Sequence, residues 1–181
     1  MTRVVLRGAL LMMSLHAGAA HAAEALATIS SLDVQRYMGA WYEIAKFPND
    51  FQKKCVGDTT ATYSLREDGR VKVVNRCRTG DGGAEVAEGV ARQVGSATSP
   101  RLKVRFAPAL LSFLPMVWGD YWVIDLDRDY QLSAVSEPKR EYLWILSRTP
   151  QVDAAAYEAL LARLRAQGLD TSRLVRTSQG Q

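Results

Sequence analysis

Histidine is nearly absent from this chain, and that absence excludes much chemistry. Of 181 residues only two are histidines, His16 and His21, both inside the first 21 positions. Everything downstream lacks an imidazole, so a Ser-His-Asp triad, a Cys-His pair and His-ligated metal or haem are unavailable. Cysteine is almost as scarce. Cys55 and Cys77 are the only two, and no Cys-x-x-Cys spacing exists for a redox pair. Charge of neither sign dominates: 23 Lys and Arg stand against 19 Asp and Glu, a formal +4. The basic residues are scattered, which argues against nucleic acid as a partner. Carboxylate-pair catalysis survives on residue counts alone. No catalytic residue, metal ligand or cofactor is indicated.

The N-terminus reads differently from the rest. Arg3 and Arg7 flank a basic start, Gly8 to Leu15 is apolar, and Ala20-His21-Ala22 is a small-residue cleavage site. The apolar run is too short to span a bilayer. Residues 1–22 are therefore expected to be a secretory signal peptide, and 23–181 one domain. Removing the leader takes two arginines and no acid, leaving 21 basic and 19 acidic residues and a charge of +2. No cysteine precedes Cys55, so no lipid-attachment thiol would begin the processed chain. A soluble periplasmic or secreted protein is expected. In such a compartment the two cysteines predict one disulfide, Cys55 to Cys77, stabilising by roughly 3 kcal/mol.

From Trp41 onward the pattern is of short strands. Trp41 to Phe47 opens the series. Thr60 to Leu65 and Val71 to Cys77 flank an Asp68-Gly69 turn, a strong hairpin signal. Glu85 to Gln93, Leu102 to Phe106, Tyr121 to Leu126, Gln131 to Ser136 and Tyr142 to Ser147 bring the count to eight. After Pro150 the period changes: Val152, Ala155, Ala156, Leu160, Leu161 and Leu164 recur at helical spacing, and Gly168 ends the run. Arg173 to Thr177 is a short extended closing piece. Eight locally connected strands and one helix predict a mostly β protein, an eight-stranded up-and-down antiparallel barrel with the C-terminal helix packed outside.

Alternating strand direction puts three marks at one end: Gly39-x-Trp41 at the first strand, Asp127-x-x-Tyr130 in the sixth-to-seventh turn, and Arg148 after the eighth. A planar guanidinium from Arg148 can cover the Trp41 ring. Both cysteines and the loop after the fifth strand fall at the opposite end. These marks, with Trp41-Tyr-Glu-Ile, Ala61-Thr-Tyr-Ser-Leu65 and Tyr142-Leu-Trp-Ile-Leu-Ser-Arg-Thr-Pro150, resemble lipocalins of the bacterial outer-membrane and apolipoprotein D group. The resemblance covers about residues 31 to 177. It implies a carrier with a closed floor, an open mouth and an apolar cup for a small hydrophobic ligand, of the fatty acid or lysophospholipid kind. Leu126 stands where many members carry threonine, and the cysteines do not reproduce the full apolipoprotein D set.

Arg148 facing inward sends Leu146, Trp144 and Tyr142 inward too. The family match puts Ala61, Tyr63 and Leu65 inside, with Val71, Val73, Asn75 and Cys77. Tyr63, Asn75 and Trp144 are then candidate ligand contacts, or else aromatics and an amide filling a small barrel. Phe106 and Trp122 join the candidates, although alternation leaves their facing open. Gly39, Trp41, Asp127, Tyr130 and Arg148 are assigned to the floor. Glu43 shares a face with Trp41: either a partner such as Arg148 holds its carboxylate inside, or the strand bulges and releases it to solvent. A lipid-modifying enzyme and a protein-interaction module on the same barrel are the alternatives to a carrier. Residues 108–118 carry Leu110, Leu111, Phe113, Leu114, Met116, Val117 and Trp118 almost in succession. An apolar loop at a mouth marks a lid, a peripheral membrane contact or a dimer interface.

Overall fold

The computed structural model describes residues 25–180, so the expected signal peptide and the final residue lie outside the described residues. Eight antiparallel strands close a barrel in sequence order: β1 (Gly39–Lys46), β2 (Cys55–Leu65), β3 (Val71–Thr79), β4 (Ala84–Gln93), β5 (Arg101–Arg105), β6 (Gly119–Leu126), β7 (Leu132–Ser136) and β8 (Leu143–Ser147). Each pairs with its neighbour, and β1 pairs with both β8 and β2 to complete the ring. A ninth strand, β9 (Val175–Arg176), joins the upper edge of β1. The expected eight-stranded barrel is what the chain forms.

Alternation along the strands sorts apolar side chains into two layers. The inner one gathers Trp41, Tyr63, Val71, Val73, Ala91, Leu102, Val123, Val135 and Leu146, capped below by Leu32 and Tyr37. Tyr37 ends a one-turn helix, α1 (Val34–Tyr37), that closes the floor and was not foreseen from periodicity. The outer layer is the opposite face of β1, β6, β7 and β8, where Ile44, Phe47, Ile124, Ala134, Leu143 and Ile145 meet Leu160, Leu161 and Leu164. Those leucines lie on α2 (Ala154–Ala166). The helix begins four residues after Pro150 because Asp153 caps it, its carboxylate accepting the Ala156 N–H at 2.9 Å. It ends at Gly168, which takes φ +79° as a C-terminal stop requires.

Two bulges decide which side chains reach the interior. In β1 the register slips between Glu43 and Ala45, so Ile44 and Ala45 both face the helix and Lys46 turns inward opposite Trp144. In β6 it slips between Val123 and Asp125. A bulge of this kind puts two residues opposite one and re-aims the side chains beyond it.

Candidate functional site

The floor is built from the three marks the sequence offered. Arg148 lies over the Trp41 ring, its guanidinium carbon 3.9 Å from the ring centroid. Its N–H groups donate to the carbonyls of Ala40 and Arg36 at 2.9 Å and of Tyr130 at 3.3 Å. The Trp41 indole donates to the Tyr37 carbonyl at 2.9 Å, so the buried ring leaves no orphan donor. Gly39 sits directly beneath: it takes φ +97°, and a Cβ there would approach the Arg148 guanidinium at 3.2 Å. Asp127 accepts the N–H groups of Gln131 and Leu132 at 2.6 Å and of Asp129 at 3.0 Å. Tyr130, at φ +60°, accepts from the Asp33 N–H at 3.0 Å and lies under Arg36.

Above the floor the cup has two unlike walls. On one side Ala61, Asn75 and Ala87 stand in register across β2, β3 and β4, with Gly89 next along β4. The side chains there are small, and Ala87 is exposed although it stands on the inward face of its strand. Among the described residues the Asn75 amide has no hydrogen-bond partner. On the other side Trp144 rises from Leu146, and Tyr142 stacks on it at 5.8 Å between centroids. Phe51, from the loop after β1, adds a third ring 5.3 Å from Tyr142. Phe106 lies across Gly89 at the rim, where an added Cβ would meet its ring at 2.8 Å. Five candidates (Tyr63, Asn75, Phe106, Trp144 and Leu146) are thus placed on the inner wall or its rim, and Tyr142 joins them at the mouth. Leu146, at 4% exposure, fills the base rather than lining open space.

Trp122 is a correction. It packs against the outer layer and carries the Arg101 guanidinium 4.3 Å above its ring, so it does not line the cup. Val123 takes the inward position beside it, and Tyr121 the inward position before. Leu65, also expected inside, ends up 44% exposed at the floor edge.

Glu43 follows neither expected course. The strand bulges, but past Glu43, which stays 3% exposed. Its partner is Lys46 at 3.1 Å, not Arg148. Thr177 and Gln52 also donate to the carboxylate, each at 2.6 Å, and Gln52 accepts from the Trp144 indole at 3.1 Å. A phenol cluster was likewise missed. Tyr63 and Tyr121 hydroxyls are 3.0 Å apart, Tyr121 and Tyr37 3.1 Å, and Tyr37 and Ser133 3.1 Å. Burial pushes the pKa of all three phenols up, so they remain neutral hydroxyls. Tyr121 alternating with Val123 was the available signal.

Cys55 and Cys77 are disulfide-bonded, 22 residues apart. The bond staples neighbouring strands β2 and β3 at the rim. Two surface depressions, of ≈ 450 and ≈ 470 Å³, lie outside the cup: one beneath the floor near Leu32, Asp33 and Tyr130, the other beside Cys77 and Arg78.

An arginine-capped tryptophan floor, an inner apolar wall and one outer helix define a closed up-and-down β-barrel of the lipocalin-like class. The sequence of residues 32–179 matches the family model for a lipocalin-like domain, and the chain belongs to the lipocalin family. It is 43% identical over 153 residues to temperature-induced lipocalin-1 of Arabidopsis thaliana, covering 83% of this chain and 81% of that one. It is 40% identical over 152 residues to the outer membrane lipoprotein Blc of Escherichia coli K12, with the same coverage. Apolipoprotein D of Macaca fascicularis is 32% identical over 156 residues, covering 82% of this chain and 78% of its own. Insecticyanin of Manduca sexta shares the fold at a TM-score of 0.67 and 19% identity, covering 86% of this chain and 85% of that structure.

Proposed function

We propose that this protein carries a single-chain amphiphile, a fatty acid or lysophospholipid, in the bacterial cell envelope. The observation that supports this most is the asymmetric cup. Ala61, Asn75, Ala87 and Gly89 make one wall of small residues, while Trp144 and Tyr142 present apolar rings opposite. An apolar cavity with few polar groups suits an acyl chain. A transport role fits better than catalysis: the buried Glu43 carboxylate is fully engaged by Lys46, Thr177 and Gln52 and is not free to move a proton. Kinship with a protein named outer membrane lipoprotein supports the envelope setting. So do the disulfide and the leader-like residues 1–22. Among the described residues no helix is long and apolar enough to cross a membrane.

The same proposal places the mouth against a bilayer. Leu110, Phe113 and Met116 are 81%, 76% and 85% exposed. They ride on two 3-10 turns, Ala109–Leu111 and Pro115–Val117, which the prolines keep from merging into a helix. Beneath them Trp118 is flanked by Arg92 at 4.8 Å and Arg105 at 5.3 Å. Neither arginine makes an ion pair among the described residues. Arg105 is buried and donates to the Ala107 carbonyl, whereas Arg92 is exposed. Apolar tips beside the exposed Arg92 cation complement an anionic lipid surface. Native mass spectrometry of protein exported with its leader in a bacterial host, followed by lipid analysis, tests the proposal. One co-purifying single-chain lipid per barrel is expected; a barrel that is empty and takes up no added lipid would overturn it.

A further inference from the structure

The phenol cluster has a direction. Each hydroxyl in it owns one proton. Ser133 Oγ donates to the Asp125 carbonyl at 3.3 Å, so at the next link Tyr37 must be the donor to Ser133. Tyr121 must then donate to Tyr37, and Tyr63 to Tyr121. This is the one arrangement that makes all four bonds. It uses every proton, and it leaves lone pairs on Tyr63 Oη as the chain's unused capacity. The opposite polarity would free a Tyr63 proton only by abandoning the bond to the Asp125 carbonyl. Breaking a partly buried hydrogen bond of that kind is unfavourable.

We propose that Tyr63, backed by this chain, is a binding subsite for a hydroxyl-bearing end of a neutral amphiphile, inserted hydroxyl first. The inference rests on the carrier proposal and adds a neutral ligand class to it. A ligand hydroxyl would donate to Tyr63 Oη. It would accept from the unpartnered amide of Asn75, whose inward position lies one row above Tyr63 on the adjoining strand. A carboxylate, which only accepts, gains nothing from Tyr63 and is desolvated beside it. Nor does the inner wall offer it a free cation: Lys46 is committed to Glu43, and Arg148 spends its N–H groups on floor carbonyls. The burial that raises the phenols' pKa values also keeps Tyr63 from becoming charged. Fatty acids and lysophospholipids therefore enter tail first, with their charge left at the mouth.

The test titrates the protein with 1-dodecanol, dodecanoate at pH 8 and a lysophosphatidylcholine, in wild type, Tyr63→Phe and Asn75→Ala. Wild type is expected to bind dodecanol about tenfold more tightly than dodecanoate, one good hydrogen bond's worth. Tyr63→Phe should lose about that factor for dodecanol and stay within about twofold for the other two ligands, which also report that the cup is folded. Asn75→Ala should show the same selectivity of loss. Equal wild-type affinities, or a Tyr63→Phe loss shared by all three ligands, would overturn the subsite and leave the carrier intact. Binding of none of the three would overturn the carrier proposal and the subsite with it.

Discussion

The two ends of the barrel solve opposite problems. At the floor, segments more than a hundred residues apart are tied by hydrogen bonds: Arg148 reaches back 108 positions to the Ala40 carbonyl and 112 to that of Arg36. At the mouth, β1 and β2 pair only through Gly39–Tyr42 with Thr60–Tyr63 and then part. Large apolar residues there, Phe51, Leu110, Phe113 and Met116, stand in water. A satisfied end is a stable one, while unsatisfied apolar surface is an invitation to bind. Stability and function are therefore expected to separate by height along the barrel, and mutations at the two ends should part company.

The sharpest form of that comparison sets Trp41 against Trp144. Trp41 is fully buried, and Trp41→Ala should cost about 3–5 kcal/mol in a denaturant melt. Arg148→Ala should lower stability in the same sense by uncovering the ring and orphaning three carbonyls. Trp144, half-buried on the cup wall, should lose far less stability on truncation but weaken fatty-acid or lysophospholipid affinity. Equal binding losses at unchanged stability in all three variants would erase the distinction between floor and cup.

Next in size is the rim staple. Reducing Cys55–Cys77 opens a constraint across 22 residues, worth about 3 kcal/mol in the chain-entropy model. Thermal unfolding with and without reductant measures it. Because the staple holds only β2 to β3, floor amides should keep their hydrogen-exchange protection in the reduced, folded protein. Loss of protection at both ends together would show that the rim and floor are one cooperative unit.

A third contrast lies within the mouth. Replacing Leu110, Phe113 and Met116 with serine removes exposed apolar surface that would enter a bilayer, each side chain being worth up to about 1.5–3 kcal/mol when fully buried. Uptake of lipid from anionic vesicles should slow by on the order of tenfold, with affinity for monomeric ligand unchanged. Unchanged vesicle transfer would rule out docking, and loss of both would make the segment a lid.

Much of this was legible in the sequence, for a physical reason. Period-2 alternation, the Asp68-Gly69 turn and the spacing of Gly39-x-Trp41, Asp127 and Arg148 are local or register-bound, so strand order and floor come from counting. What escaped depends on irregularity. A one-residue slip inverts facing, and the bulge after Glu43 sent Lys46 inward and made it the carboxylate's partner, where counting had offered Arg148. Trp122 lies outside because Tyr121 and Val123 hold the inward positions, which short β-rich runs on both sides did not announce. The phenol cluster joins α1, β2, β6 and β7, a meeting of distant segments with no local signature.

The smallest expected effect concerns the seam where β1 and β2 part. The C-terminal tail fills it. Thr177 N–H donates to the Ile44 carbonyl at 3.0 Å, and Gln179 donates to the carbonyls of Glu43 at 2.7 Å and Thr59 at 3.0 Å. Asp58 clasps the end: its N–H donates to the Ser178 carbonyl at 2.7 Å, and its carboxylate accepts from the Gly180 N–H and from Arg78 at 2.7 Å. The Gly180 N–H foremost, then Arg78, holds the Asp58 pKa below its ordinary 3.8. A carboxylate depressed in the folded state stabilises above the unfolded pKa and loses that contribution as pH falls through the folded one. The tail should therefore stay docked from pH 7 to about 5 and loosen only below 3.8, before the floor does. Protection factors for the Asp58 and Thr177 amides, measured against intrinsic exchange rates, should fall in that window. Asp58→Asn should abolish the step, because the amide does not titrate. If the variant keeps the same acid-dependent loss, a group other than Asp58 governs the seam.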